Sequence, residues 1–272
     1  MNKVDINTMP MYCISLDRRQ DRWLNFQQRA KPAGIQNRVQ RWSATDAKAF
    51  DAAKHPQVSV GTAHNIKFKT RRSHYEIDTP GAVGASLSHF GIWERVVQSG
   101  PTIVFEDDTQ IPTDFTARLG RVVADLPPQW DLIIFQKTDY DGTGAGCKPI
   151  SGEEPWHLST ALLGCYAYMI SPQGASRLLK RAYPIELHVD AYMAYMCRIE
   201  EIRMLWHPAM NIPFPEEDSD IYHGRGQILN VPTDMRRKGI VVIEEIGVTG
   251  MIAVSLVAGG LLALAFFGRG RK

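Results

Sequence analysis

Thr102–Asp108, TIVFEDD, is the stretch on which the reading of this chain turns, because an apolar run ends there in three consecutive carboxylates. Thr102, Ile103, Val104 and Phe105 are residues that pack well on a pleated surface, so the run reads as a central strand. Three adjacent anions repel one another unless a cation neutralises them. Strand alternation predicts that Glu106 and Asp108 share one face and Asp107 takes the other, which would offer two hard oxygen ligands to a divalent cation such as Mn²⁺ or Mg²⁺. The alternative is an acidic helix cap or a solvated loop. The carboxyl end of a strand in an open α/β sheet is where ligands bind, which favours the site.

Outward from that strand, the pattern alternates. Met11–Leu16 (MYCISL) predicts a first strand, followed by a polar helix that runs to about Arg29 and is ended by Pro32 and Gly34. Arg38–Ser43 predicts a second strand that delivers Asp46 into a loop, where a strand-end acid can meet a ribose. Residues 47–80 are polar and weakly periodic, and read as an insertion or loop with a basic cluster around His74. Gly81–Gly100 has helical spacing and leads into the acidic strand. Beyond it the pattern predicts a helix from Pro112 to about Leu126, strands at 130–136, 165–170 and 202–206, and helices at 172–181 and 188–198. Residues 137–159 read as a Gly-rich loop, either a lid or an ordinary surface loop, and 211–232 as irregular.

Composition sets broad limits. The 272 residues include 31 basic and 29 acidic side chains for a net charge of +2, which gives no reason to expect a nucleic-acid partner. Hydrophobic residues make up 44% of the chain, ample for one large α/β domain. Cys13, Cys147, Cys165 and Cys197 are widely spaced, with neither a zinc pattern nor a disulfide framework, and read as core thiols of a reducing compartment.

Ile246–Phe267 is apolar and uncharged over 22 residues. At helical rise that is about 30 Å, the thickness of a bilayer core, so a transmembrane helix is expected. The expected layout is a catalytic domain over 1–234, a linker over 235–245, the membrane helix over 246–267 and a basic tail over 268–272. The N-terminus carries no export signal, so a tail-anchored, single-pass protein with a cytosolic catalytic domain is expected. The lipid bilayer would then be a partner through the C-terminal helix.

Six segments in order strengthen the picture: MYCISLDRRQDRW, WSATDA, GAVGASLSHFGIWERV, TIVFEDD, GCYAYMISPQGASRLL and IELHVDAYM. Their order and content resemble glycosyltransferase family 25, which includes lipooligosaccharide and procollagen galactosyltransferases. The resemblance implies a GT-A-like, Rossmann-type α/β sheet domain. It further implies a UDP-sugar donor, use of Mn²⁺ or Mg²⁺, inversion at the anomeric carbon, and a glycan or glycoprotein acceptor for a hexose, most simply galactose. Ala82 stands where the family usually carries Glu, and Ala85 where Cys is common, which leaves open an inactive binding or adhesion protein on the same scaffold.

Residue roles follow from both readings. Glu106 and Asp108 are the expected metal ligands, holding the ion that neutralises a diphosphate leaving group, and Asp107 is an expected nucleotide-sugar contact beside them. Arg18 and Arg22, four apart and so expected on one helical face, are candidates for phosphate or the nucleobase edge. Asp46 and His89 complete the expected nucleotide-sugar contacts; a structural histidine is the alternative for His89. Asp190 is the candidate base for the acceptor hydroxyl, or else a helix N-cap, with Glu186 and Asp218 next in line. His207 and His223 are further candidates for the metal shell.

Overall fold

The computed structural model describes residues 4–137, 146–215 and 227–228. Its centre is an eight-stranded mixed sheet in the order β2-β1-β4-β8-β5-β9-β7-β6. The strands are β1 (Met11–Ser15), β2 (Val39–Ser43), β4 (Thr102–Glu106), β5 (Leu132–Ile134), β6 (Cys147–Pro149), β7 (His157–Ser159), β8 (Ala167–Ile170) and β9 (Met204–Trp206). β1 pairs in parallel with both β2 and β4. β8 then runs antiparallel between β4 and β5, with Thr102 opposite Ile170 and Phe105 opposite Ala167. That reversal brings the loop entering β8 to the carboxyl end of β4, and the Tyr166 carbonyl accepts the Glu106 amide at 2.8 Å.

Period-two alternation sends the side chains into two cores. Ile103 and Phe105 of β4 pack with Met11, Cys13 and Met169 under Phe26 of α1 (Gln20–Ala30) and Phe115, Leu119 and Val122 of α4 (Phe115–Ala124). Val104 packs on the other face with Ile14, Tyr168 and Ile170 under α3 (Pro80–Ser99), α5 (Pro172–Leu179) and α6 (Val189–Arg198). Strands buried on both faces explain why their sequences read as nearly continuous apolar runs. The four cysteines are free and buried.

Close approach fixes α3 against the loop after β2. A Cβ on Gly84 would lie 2.5 Å from the Thr45 carbonyl oxygen, so only glycine admits this contact. Four residues on, the Ser88 hydroxyl accepts the Thr45 amide at 2.8 Å and donates to the Gly84 carbonyl at 2.6 Å. The small residues of the GAVGASLSH segment therefore set the helix at contact distance from the strand ends.

Three sequence expectations need correction. Residues 47–80 are not an unstructured insertion: they hold two 3-10 turns, Ala47–Ala49 and Ala52–Lys54, and the helix α2 (Val60–Phe68), capped by the Ser59 hydroxyl on the Thr62 amide at 3.1 Å. Residues 146–159 form a hairpin, β6 against β7, rather than a loop, because Cys147 pairs with Ser159 and extends the sheet; residues 138–145, the rest of the expected loop, lie outside the described set. Asn211–Pro232 is not irregular throughout, since β10 (Gln227–Ile228) pairs in parallel with β3 (Thr70–Arg71) as a separate small unit. Among the described residues no helix is long and apolar enough to cross a membrane. The linker, the expected membrane helix at 246–267 and the tail lie outside the described residues.

Candidate active site

The three carboxylates divide between the two faces of the sheet. β4 ends at Glu106, so alternation holds that far and points Glu106 to the α3 face along with Val104. There His89 Nε2 lies 3.3 Å from Glu106 Oε1. Asp107 and Asp108 follow in a turn, where alternation no longer applies, and both meet Arg22 of α1: Nε to Asp107 Oδ1 at 2.8 Å and Nη2 to Asp108 Oδ2 at 2.9 Å. The expectation that Glu106 and Asp108 share a face against Asp107 is thus overturned by the early end of the strand.

The turn is braced on several sides. Arg29 donates to the Thr109 carbonyl at 3.0 Å and to the Asp107 carbonyl at 2.5 Å. The Thr109 hydroxyl donates to the Glu106 carbonyl at 2.7 Å and also to the Tyr166 carbonyl. These bonds hold the carboxylates where burial alone would expel them.

Electrostatics follow the geometry. Burial pushes Glu106 up to about 8, assisted by the charges of Asp190 and Asp107 and opposed by Arg22. Burial likewise raises Asp107 and Asp108 to about 6 each, with Arg22 opposing. Burial takes His89 down to about 3, with Asp190 opposing, so the imidazole is neutral. Asp190 therefore shares one electrostatic cluster with Glu106 and His89.

Asp190 lies in the first turn of α6 and is not its N-cap, a position held by His188. Its Oδ2 accepts the Gly164 amide at 2.7 Å and its Oδ1 accepts the Ala191 amide at 2.8 Å. Gly164 has φ +77°, and a Cβ there would lie 2.2 Å from the Tyr166 ring. A glycine is needed at that point, and it ties α6 to the loop beside Glu106.

The other sequence candidates fall in different places. Arg18 precedes α1, so it shares no helical face with Arg22; its Nε pairs with Asp46 Oδ2 at 2.9 Å. Asp46 also caps the first 3-10 turn through the Lys48 amide, and that bond, with Arg18, lowers its pKa. Arg22 is buried against the two aspartates. His207 lies on the α4 side, with Nε2 3.4 Å from Asp125 and its ring against Trp156, so it is not grouped with the carboxylates. Glu186 is exposed. His223 and Asp218 lie outside the described residues. Ala82 is buried in the first turn of α3.

Among the described residues no three His, Cys, Asp or Glu side chains converge as a preformed metal centre. The oxygens present nonetheless fit a divalent cation that keeps phosphate and water ligands. Asp108 Oδ1 is buried with no hydrogen-bond partner among the described residues, and Glu106 keeps 26% of its side-chain surface open. One or two carboxylates completed by substrate phosphate is the usual provision for Mg²⁺.

Sequence reasoning missed Trp93 and Tyr168. Trp93 Nε1 donates to Tyr168 Oη at 2.9 Å, and that oxygen lies 2.8 Å from His89 Nδ1. Both aromatics occupy apolar runs and read as core; the polar tip of a buried Tyr or Trp, which needs a partner, was the available signal.

Comparison with known proteins bears on what this site serves. Residues 8–193 match the family model described as "Glycosyltransferase family 25 (LPS biosynthesis protein)". A Drosophila pseudoobscura pseudoobscura "Glycosyltransferase 25 family member" is 28% identical over 200 residues, covering 68% of this chain and 29% of that protein. A Danio rerio "Procollagen galactosyltransferase 1" is 29% identical over 163 residues, covering 57% and 26%. A Rattus norvegicus "Probable inactive glycosyltransferase 25 family member 3" is 34% identical over 131 residues, covering 43% and 21%. This chain thus spans between about a fifth and a third of the length of such relatives.

Proposed function

The chain belongs to glycosyltransferase family 25, and from that premise we propose that it is an active, metal-dependent, inverting transferase that moves a hexose, most simply galactose, from a UDP-sugar to a glycan or glycoprotein acceptor. The observation that carries this reading is the pairing of an orphaned, buried Asp108 Oδ1 with a partly open Glu106 at the carboxyl end of β4. Three carboxylates raised toward neutrality by burial are costly to keep, and a cation with a diphosphate offsets that cost. The GT-A-like arrangement of a nucleotide site at parallel strand ends is part of the proposal.

Although they meet different partners, Glu106 and Asp108 act on each other's charge across the end of β4, and together they would hold Mn²⁺ or Mg²⁺, which when bound supplies the positive charge that neutralises the departing diphosphate. Arg22 holds the Asp107–Asp108 turn in place. Arg18 and Asp46, at the ends of β1 and β2, are proposed to face the nucleoside. Asp190 takes the proton of the acceptor hydroxyl as that oxygen forms its bond to the anomeric carbon and the bond to the nucleoside diphosphate breaks, inverting the centre. Its two backbone hydrogen bonds keep the carboxylate fixed for that task. The membrane anchor at 246–267 and a cytosolic catalytic domain remain part of the proposal; protease should digest the domain on sealed vesicles, and protection would reverse the orientation.

A second reading, a binding protein on the same scaffold, is favoured by Ala82 and by relatives named inactive. UDP release from UDP-galactose by the full-length chain separates the two. Release that needs Mn²⁺ and stops with chelator supports the transferase. No release from any nucleotide sugar, with glycan binding retained, supports the binding protein.

A further inference from the structure

We propose that Trp93 and Tyr168 are positioning residues for Glu106: a one-way chain of hydrogen bonds, Trp93 to Tyr168 to His89 to Glu106, fixes how that carboxylate faces the nucleotide-sugar site. The proposal rests on the reading of Glu106 as part of that site. It adds two residues and a defined tautomer to it.

The direction follows from donor counts. An indole Nε1–H only donates, so Tyr168 Oη accepts from Trp93. The Tyr168 hydroxyl proton then needs an acceptor, and His89 Nδ1 at 2.8 Å is the other partner of that oxygen. A Tyr168 that accepted from both neighbours would leave its own proton buried and unmatched, at a cost of about 1–3 kcal/mol. With Nδ1 as acceptor, the neutral ring carries its proton on Nε2, which points at Glu106 Oε1 at 3.3 Å. The first three side chains are all buried: Trp93 at 0%, Tyr168 at 1% and His89 at 1% exposure. Burial shields the bonds among these three from solvent, and α3 supplies Trp93 and His89 one helical turn apart, both facing Tyr168 on β8.

The consequence is local. With Oε1 committed to His89, the other oxygen of Glu106 is left for a ligand and its direction is set by the ring. A histidine whose far nitrogen is fixed by a second hydrogen bond orients what it touches, and loss of such outer partners costs about 10- to 100-fold in metal affinity or activity.

The test begins with the unaltered full-length protein, labelled with ¹⁵N-histidine and free of metal. Long-range ¹⁵N–¹H spectra should show His89 with a bare Nδ1 and a protonated Nε2; a proton on Nδ1 overturns the proposal. Tyr168→Phe should then bring a second tautomer into the spectrum and weaken Mn²⁺ binding, followed by electron paramagnetic resonance, by about tenfold. An unmoved tautomer with unchanged Mn²⁺ affinity overturns it. If Tyr168→Phe does not fold, His89→Phe, which keeps a ring in place but removes both nitrogens of the link to Glu106, should weaken Mn²⁺ binding by about tenfold, and an unchanged affinity overturns the proposal. Glu106→Gln separates the two claims. Mn²⁺ binding lost there but untouched by Tyr168→Phe overturns the chain alone, whereas Mn²⁺ binding unaffected by Glu106→Gln overturns the reading of the site and the chain's role with it.

Discussion

The two faces of the sheet treat one run of carboxylates in opposite ways. On the α3 face Glu106 meets a neutral histidine and stays about a quarter open. On the α1 face Asp107 and Asp108 meet a buried guanidinium and are closed over, with side chains about a tenth exposed. A neutral partner orients a carboxylate without cancelling its charge, whereas Arg22 compensates charge and holds the turn. The lesson is a division of labour between ligand and scaffold, in which Asp108 belongs to both because one oxygen is held and the other is orphaned.

The sharpest way to break this division is at Asp108. Asp108→Asn should lower metal-dependent turnover by roughly 10³-fold, the several kcal/mol that a cation's charge supplies. Asp107→Asn should cost less, because Arg22 already engages that side chain and, among the described residues, it has no orphaned oxygen of the kind Asp108 presents. Equal losses at the two positions, with Glu106→Gln harmless, would dissolve the distinction between the faces.

Asp190 tests the α3 face alone. Asp190→Asn should reduce kcat by about 10²–10⁴-fold while UDP affinity is nearly unchanged, as expected for a general base. A variant as active as the parent would remove Asp190 from the chemistry and leave it as the tether of α6.

Arg22 tests the α1 face through stability. Arg22→Met strips two buried carboxylates of their counter-charge, which should cost about 3 kcal/mol and lower Tm by roughly 6–12 °C. A Tm shift no larger than that of a surface substitution would mean that the pair is not what secures the turn.

The pH dependence is the gentlest probe. Glu106 at about 8 and Asp107 and Asp108 at about 6 all lie above their unfolded values. Between pH 4 and 8 these three groups hold more protons in the folded protein than in the unfolded chain, outweighing the opposite effect of His89 and His207, whose values lie below the ordinary imidazole value, so the metal-free protein should lose stability as pH rises through that window. Chemical denaturation at pH 5 and pH 8 measures this. Saturating Mn²⁺ should flatten the trend, and a metal-free protein more stable at pH 8 would contradict the sign.

Much of this was legible in the sequence because it depends on local pattern. Strands buried on both faces announced themselves as apolar runs, and Gly81–Gly100 announced its helix by the spacing of its apolar positions. α2 was not legible, since only Thr62 and Ile66 are buried and no apolar stripe forms. The β6–β7 hairpin escaped because each strand has three residues. Within the site, residue types could be picked out but not their partners: Arg22 and Asp108 are 86 positions apart. Alternation misplaced Asp108 because nothing in TIVFEDD says that the strand stops one residue before the turn.

The most direct test of the central claim, that the turn after β4 is a metal-assisted nucleotide-sugar site, is calorimetry of UDP binding to the full-length protein with and without Mn²⁺. The account predicts at least about tenfold tighter UDP binding with the metal, and loss of that gain in Asp108→Asn. Equal UDP affinity in both conditions would contradict it.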